Sequence, residues 1–273
     1  MREHTVVREV AGPWSPATSR GFWEGFAPAA LRGQSDQALR TVFRVERDWS
    51  TATATVRQVG TSAHVTVRGD GDLAAAAEQT ARFLALDVDG RGWPGVGERD
   101  PVIAAARREL PGLRPCGFHS PYEAAAWAVL SQRVRIAQAA RLRTELLDDD
   151  GAFPAPHRLR SLDAELPGRK TEYLHAVAEA ALDGVFEGLR DLTAEDAVLR
   201  VRQVKGLGPF AAELVVLRGA NHPDGVPRHE SRLQAEIAFR YGPGATAEQV
   251  SEAWRPYRTW ASLHLRALRE RRG

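Results

Sequence analysis

Residues 194–219 read AEDAVLRVRQVKGLGPFAAELVVLRG, two helix-periodic segments joined by a hairpin too short for anything but a reversal. Val198, Val201 and Val204 repeat at helical spacing before the joint, and Phe210, Leu214 and Leu217 after it. The joint is Lys205-Gly206-Leu207-Gly208. Two glycines around one apolar residue allow backbone angles that other residues resist. Pro209 follows, where a helix starts well with proline. The stretch is predicted to form a helix–hairpin–helix. Glycines without side chains let another backbone approach. The unpaired amides opening the second helix offer a nest for a phosphate, with Lys205 beside it. A plain tight turn between two core helices would use the same residues, so the rest of the chain has to decide between them.

Composition narrows the classes. The 273 residues are enough for one large domain or two ordinary ones with a full core. Hydrophobic residues at 43% and charged residues at 26% fit a globular chain. Cys116 is the single cysteine, which excludes a disulfide framework, a four-cysteine iron–sulfur cluster and a multi-cysteine zinc site. The opening MREHTVVREVAGP has no long apolar run, so neither a signal peptide nor a membrane span is expected, and a reducing cytoplasm is the natural compartment. Net charge is only +2, with Arg far outnumbering Lys. A pI near 9.0 permits a polyanionic partner without demanding one.

The chain divides into two parts, giving an α+β fold class. Residues 1–95 form a strand-rich unit. Its β-prone runs lie at 5–10, 39–45, 52–59 and 63–67, the last two alternating around a Gly60-Thr61 turn. A helix follows over 72–86 with Asp72 as N-cap. Trp14, Phe22, Trp23 and Phe26 form an aromatic group, most of it core. The Gly- and Pro-rich stretch 90–97 reads as a boundary loop. Residues 98–273 read as an all-helical unit of eight or nine helices. Apolar spacing of three and four marks 101–110, 121–133, 135–147, 170–183, 194–204, 209–219, 229–240, 247–254 and 258–270.

Three further stretches carry candidate chemistry. A helix opens near Pro121 under a Ser120 cap, and Ser131-Gln132-Arg133-Val134 ends it, so Gln132 and Arg133 project from a turn. A solvated turn would look the same. Val226-Pro227 reads as a helix entry, with Leu233 and Ile237 on the buried face and Glu230 in the first turn near the positive end of the helix dipole. An ordinary first-turn glutamate is the bland alternative. Trp254, Tyr257 and Trp260 recur at helical spacing, a pattern that belongs more often to a core than to a cofactor box.

Together these stretches resemble the helix–hairpin–helix DNA glycosylase superfamily, in the 3-methyladenine DNA glycosylase II branch. DPVIAAARRELPGLR, SPYEAAAWAVLSQRV, RKTEYLHAVAEAALDG, VKGLGPFAAELVVLRG and WRPYRTWASLHL match that branch in its order, over nearly the whole chain. The resemblance implies double-stranded DNA with a damaged base as partner, acted on by a monomer. It implies no cofactor and no metal held by side chains. A monovalent cation on the hairpin backbone is the family's usual companion. The hairpin grip on the DNA backbone falls on Lys205, Gly206, Leu207, Gly208 and Pro209. The side chain wedged into the gap left by a flipped nucleotide falls on Arg133, beside Gln132, where similar enzymes often carry an apolar residue. The family's catalytic aspartate falls on Glu230, one methylene longer. An alternative register would place Pro227 there and leave no acid. His229, adjacent to Glu230, is a candidate to tune it, although neighbours on a helix usually point apart.

The lyase branch carries a lysine two residues after the second hairpin glycine. Here that residue is Phe210, which implies a monofunctional hydrolase. Phe22 and Phe210 match aromatics that line the family's base pocket. Leu214 stands where the type enzyme has a tyrosine, and Arg266 where it has a tryptophan. An inward Arg266 would disfavour a positively charged base, because two cation–π contacts of about 0.5–2 kcal/mol each are lost. The expected function is base excision of a damaged, alkylated base. Its rival is a non-catalytic protein of the same fold that binds damaged DNA. A third possibility is an unrelated helical protein that borrows the glycine turn.

Overall fold

The structure is a computed structural model that describes residues 1–24 and 38–272. Four strands, β1 (Arg2–Glu9), β2 (Leu39–Arg44), β3 (Thr51–Val59) and β4 (Ser62–Gly69), form one antiparallel sheet in the order β1-β4-β3-β2. The alternating pattern sets one face inward: Ala52, Ala54 and Val56 on β3, and Ala63, Val65 and Val67 on β4, are buried. The β3–β4 turn is Gly60-Thr61, with Gly60 at φ +60°. Helix α2 (Leu73–Phe83) covers the inward face, and its N-cap Asp72 accepts from the Ala75 amide. Helix α1 (Pro16–Glu24) precedes the meander. Trp14 and Trp23 join this core and Phe22 is partly buried against it. Phe26 lies outside the described residues.

The remaining helices are α3 (Trp93–Arg99), α4 (Pro101–Glu109), α5 (Pro121–Leu130), α6 (Ile136–Leu146), α7 (Pro156–Arg160), α8 (Lys170–Leu182), α9 (Ala194–Val201), α10 (Pro209–Leu214), α11 (Ser231–Tyr241), α12 (Ala247–Ser251) and α13 (Arg258–Arg271). Two of them, α3 and α7, fall where loops were expected. The predicted loop at 90–97 becomes helical from Trp93, because Trp93 and Val96 are buried and tertiary packing outweighs the glycines. No described helix is long and apolar enough to cross a membrane.

Helix α5 is the axis of the helical part. All ten of its residues are buried, and it packs against α6, α8, α10 and the turn that follows α10. Ser120 caps it, accepting from the Glu123 amide at 3.1 Å. Its run of alanines lets neighbours close in: a Cβ on Gly219 would lie 2.7 Å from Pro121 Cα. Arg114, fully buried, ties the two parts together. Its guanidinium donates to the carbonyls of Ala11, Pro13, Ala85 and Val88 and lies over the Trp260 ring at 5.3 Å. Burial pushes its pKa down to about 10, which still leaves it charged at neutral pH.

Two local predictions are corrected here. Helix α11 begins at Ser231, not near Val226-Pro227, because Asp224 is held as loop by Arg258 Nε at 2.8 Å. Glu230 is therefore the N-cap of α11, not a first-turn residue. The segment predicted as one helix over 209–219 also changes character. After α10 it widens into a π turn over Val215–Gly219, where the Ala220 amide reaches back to the Val215 carbonyl at 2.8 Å.

Candidate active site and nucleic-acid face

The hairpin between α9 and α10 explains its two glycines differently. Gly206 sits at φ +91°, and a Cβ there would lie 2.4 Å from Tyr173 Cγ, so the fold itself demands glycine. Gly208 is extended, with φ −78° and ψ −178°, and a Cβ there would meet nothing within 4 Å. Nothing inside the chain requires glycine at 208. Pro209 opens α10, as the sequence predicted. Leu207 is buried. Lys205 was expected to add a charge beside the nest, and that charge is paired. Its Nζ lies 2.6 Å from Glu172, which also receives Arg169 at 2.6 Å.

The turn after α5 meets this hairpin. Gln132 does not project freely: its Nε2 donates to the Gly206 carbonyl at 2.8 Å. Lys170, buried, places its ammonium between the carbonyls of Val129 and Gln132 at 2.9 and 2.7 Å, capping the open end of α5. Arg133 is exposed and sits at φ +54°, a left-handed conformation uncommon for a side chain of its size.

Beside hairpin and turn lies a cavity of about 810 Å³. The structure brings Phe22, Phe210, Leu214, Glu230 and Arg266 together on its walls, from four separate stretches of sequence. Phe22 alone among the described lining residues comes from the strand-rich part. Phe210 remains 47% exposed at the mouth.

Glu230 is tightly held. Its Oε1 accepts from the Arg232 amide at 3.1 Å and its Oε2 from the Leu233 amide at 2.9 Å, the N-cap role at the positive end of α11. Arg266 Nε lies 2.7 Å from Glu230 Oε2, and Arg266 Nη2 lies 2.9 Å from Glu270 Oε1. Arg266 therefore points to the acid and lines the cavity.

Among the lining residues that escaped the sequence reading are Trp127, Glu213 and Arg218. Trp127 stands out only as one large ring in the alanine run of α5. Glu213 is a buried acid inside an apolar helix, a placement that calls for a partner. That partner is His229: Nδ1 lies 2.7 Å from Glu213 Oε1, and the His229 amide donates to Glu213 Oε2 at 3.0 Å. His229 thus turns to Glu213, not to Glu230. Arg218, in the π turn, lies over the Phe22 ring at 5.4 Å and donates to the Cys116 carbonyl at 3.0 Å. Burial pushes its pKa down to about 10.

Among the described residues, no group of three or more His, Cys, Asp or Glu side chains comes together to hold a metal ion. Of the hairpin carbonyls, Val204 accepts from the Leu207 amide and Gly206 from Gln132.

No family model matches the chain. In sequence it is similar to the DNA-3-methyladenine glycosylase of Bacillus subtilis, 25% identical over 198 residues, covering 65% of this chain and 65% of that protein. It is also similar to DNA-3-methyladenine glycosylase 2 of Escherichia coli, 30% identical over 182 residues, covering 60% and 62%. The matched region thus spans just under two thirds of these relatives. In fold it is similar to a 3-methyladenine DNA glycosylase from Archaeoglobus fulgidus, with a TM-score of 0.76 at 17% identity over 97% of this chain and 98% of that one.

Proposed function

We propose that this chain, which belongs to the helix–hairpin–helix DNA glycosylase superfamily and its 3-methyladenine glycosylase branch, hydrolyses the N-glycosidic bond of a damaged, alkylated base flipped out of double-stranded DNA. The observation that supports this most directly is Glu230, a carboxylate fixed by two backbone amides on the wall of a cavity of about 810 Å³ beside the hairpin. Hairpin amides and Arg133 hold the duplex, and the target nucleotide enters the cavity at an unstacking cost of a few kcal/mol. Glu230 faces the sugar, stabilises the positive charge that develops on it as the base departs, and orients the attacking water.

The chain has two lysines in all, Lys170 and Lys205. One is buried on backbone carbonyls and the other pairs with Glu172. Neither lines the cavity. Both placements support the reading that water, not an amine, attacks the sugar and that the enzyme is monofunctional. A carbonyl oxygen has two lone pairs, so the Val204 oxygen, which accepts the Leu207 amide, keeps one that would serve the monovalent cation the family resemblance implies. When bound, such a cation supplies positive charge toward a DNA phosphate. The setting this reading implies is a monomer working on DNA in the cytoplasm.

A second reading, binding of damaged DNA without chemistry, draws on the Arg266–Glu230 pair, which opposes the charge that catalysis uses. Base release from alkylated duplex DNA by the wild type and Glu230→Gln separates the two. Release lost in the variant, with DNA binding kept, supports the glycosylase. No release by the wild type from alkylated, deaminated or oxidised duplexes, with salt-dependent binding intact, supports the binder.

A further inference from the structure

The glycosylase reading gives the His229–Glu213 pair no task. Glu213 lies on α10 and is 5% exposed, yet both of its oxygens are spent on one residue: Oε1 on His229 Nδ1 at 2.7 Å and Oε2 on the His229 amide at 3.0 Å. Both side chains line the same cavity as Glu230. Nδ1 is committed to the carboxylate, so Nε2 is the nitrogen left to the cavity, and the imidazole side chain is half exposed there at 52%. A buried carboxylate that fixes an imidazole by one nitrogen, and presents the other, is the arrangement by which histidines are aimed for proton transfer. The other charged groups on the cavity wall are Glu230, Arg232, Arg218, Arg266 and Glu270.

We propose that His229 is a catalytic general acid that protonates the departing base from Nε2, with Glu213 as its positioning residue. The proposal rests on the glycosylase reading. A cationic alkylated base needs no acid: the C1′–N bond breaks, its electron pair returns to the ring, and the base leaves neutral. A neutral purine would leave as an anion. Here the electron pair passes to the base while Nε2 delivers its proton to a ring nitrogen. Water bonds to C1′, and its proton passes through Glu230 to solvent. The imidazole regains a proton from solvent. One water is consumed, and free base and an abasic sugar are formed. The placement of Arg218 agrees with this, because its guanidinium already occupies a face of Phe22 on which a cationic base would stack.

The test is single-turnover release from two duplexes, one holding N7-methylguanine and one hypoxanthine, by wild type, His229→Gln and Glu213→Gln. His229→Gln is expected to lower the hypoxanthine-to-methylguanine rate ratio about 100-fold, the scale of general acid catalysis. Glu213→Gln lowers the ratio in the same direction by less. A structural role would slow both substrates equally, and that result, or an unchanged ratio, overturns the proposal. Wild type that releases methylguanine but not hypoxanthine overturns it and leaves the glycosylase reading standing. Wild type that binds both duplexes and releases neither base overturns the reading and the proposal with it.

Discussion

Gln132 Nε2 donates to the Gly206 carbonyl at 2.8 Å, across 74 residues of sequence. The turn that carries Arg133 and the hairpin proposed to hold a phosphate are thereby fixed to each other. On the proposed function, a duplex gripped by one is presented to the other without a search, so the ordering cost is met on folding. Gln132→Ala removes one hydrogen bond of about 1 kcal/mol, which predicts about fivefold weaker binding to a duplex with an abasic site. Fluorescence anisotropy measures it. Equal affinity would show that the two elements act independently.

The hairpin glycines separate folding from binding. Gly206→Ala forces a Cβ to 2.4 Å from Tyr173 at φ +91°. It is expected to cost about 2 kcal/mol or more of stability, and a Tm lower by about 4 °C or more. Gly208→Ala meets no atom within 4 Å. Its N-cap penalty stays near or below about 1 kcal/mol, so Tm moves by less than about 4 °C, while DNA affinity falls about tenfold, or about 1.4 kcal/mol. Calorimetry and anisotropy on both variants check the split. A Gly208→Ala protein that binds normally would remove the hairpin from the DNA contact.

What the sequence reveals of this site is what local patterns carry. The hairpin, the Ser120 and Asp72 caps and the turn at Gln132-Arg133 each follow from residue types a few places apart, and the structure has them. What it hides depends on how helices are phased against one another. Arg266 meets Glu230 only because α13 turns that face toward the start of α11. His229 finds Glu213 because residues 220–230 stay outside any helix past the predicted helix start. Arg218 reaches Phe22 because α10 opens into a π turn, and no local signal in VVLRG announces one. A buried acid in an apolar run and a lone tryptophan among alanines were the two legible hints to Glu213 and Trp127.

On the proposed function, Arg266 sets the charge that a base meets. It opposes the Glu230 carboxylate at 2.7 Å and stands in the cavity wall. Arg266→Gln removes a cation and leaves the carboxylate to the ligand. Release of N7-methylguanine relative to hypoxanthine is expected to rise about 2- to 30-fold, the range spanned by about 0.5–2 kcal/mol. Single-turnover rates on the two duplexes give the ratio. A ratio unchanged or lower would show that Arg266 supports the reaction without selecting the base.

Stability carries its own pH signature away from the cavity. His264 is fully buried on α13, with Nδ1 2.8 Å from the Trp260 carbonyl and the Trp93 ring 4.9 Å away. Burial, with a smaller effect of Arg107, pushes its pKa from 6.5 down to about 4. The folded state therefore holds this imidazole neutral where the unfolded chain protonates it. Between those two values the unfolded state binds more protons, so the contribution is present in full above pH 6.5 and is lost as pH falls toward 4. A gap of that size corresponds to about 3 kcal/mol. His264→Leu keeps an apolar body in the site and removes the titration. Urea unfolding of both proteins at pH 7 and pH 4 is expected to show the wild type losing about 3 kcal/mol more than the variant over that interval. Parallel losses would place the acid sensitivity in other groups.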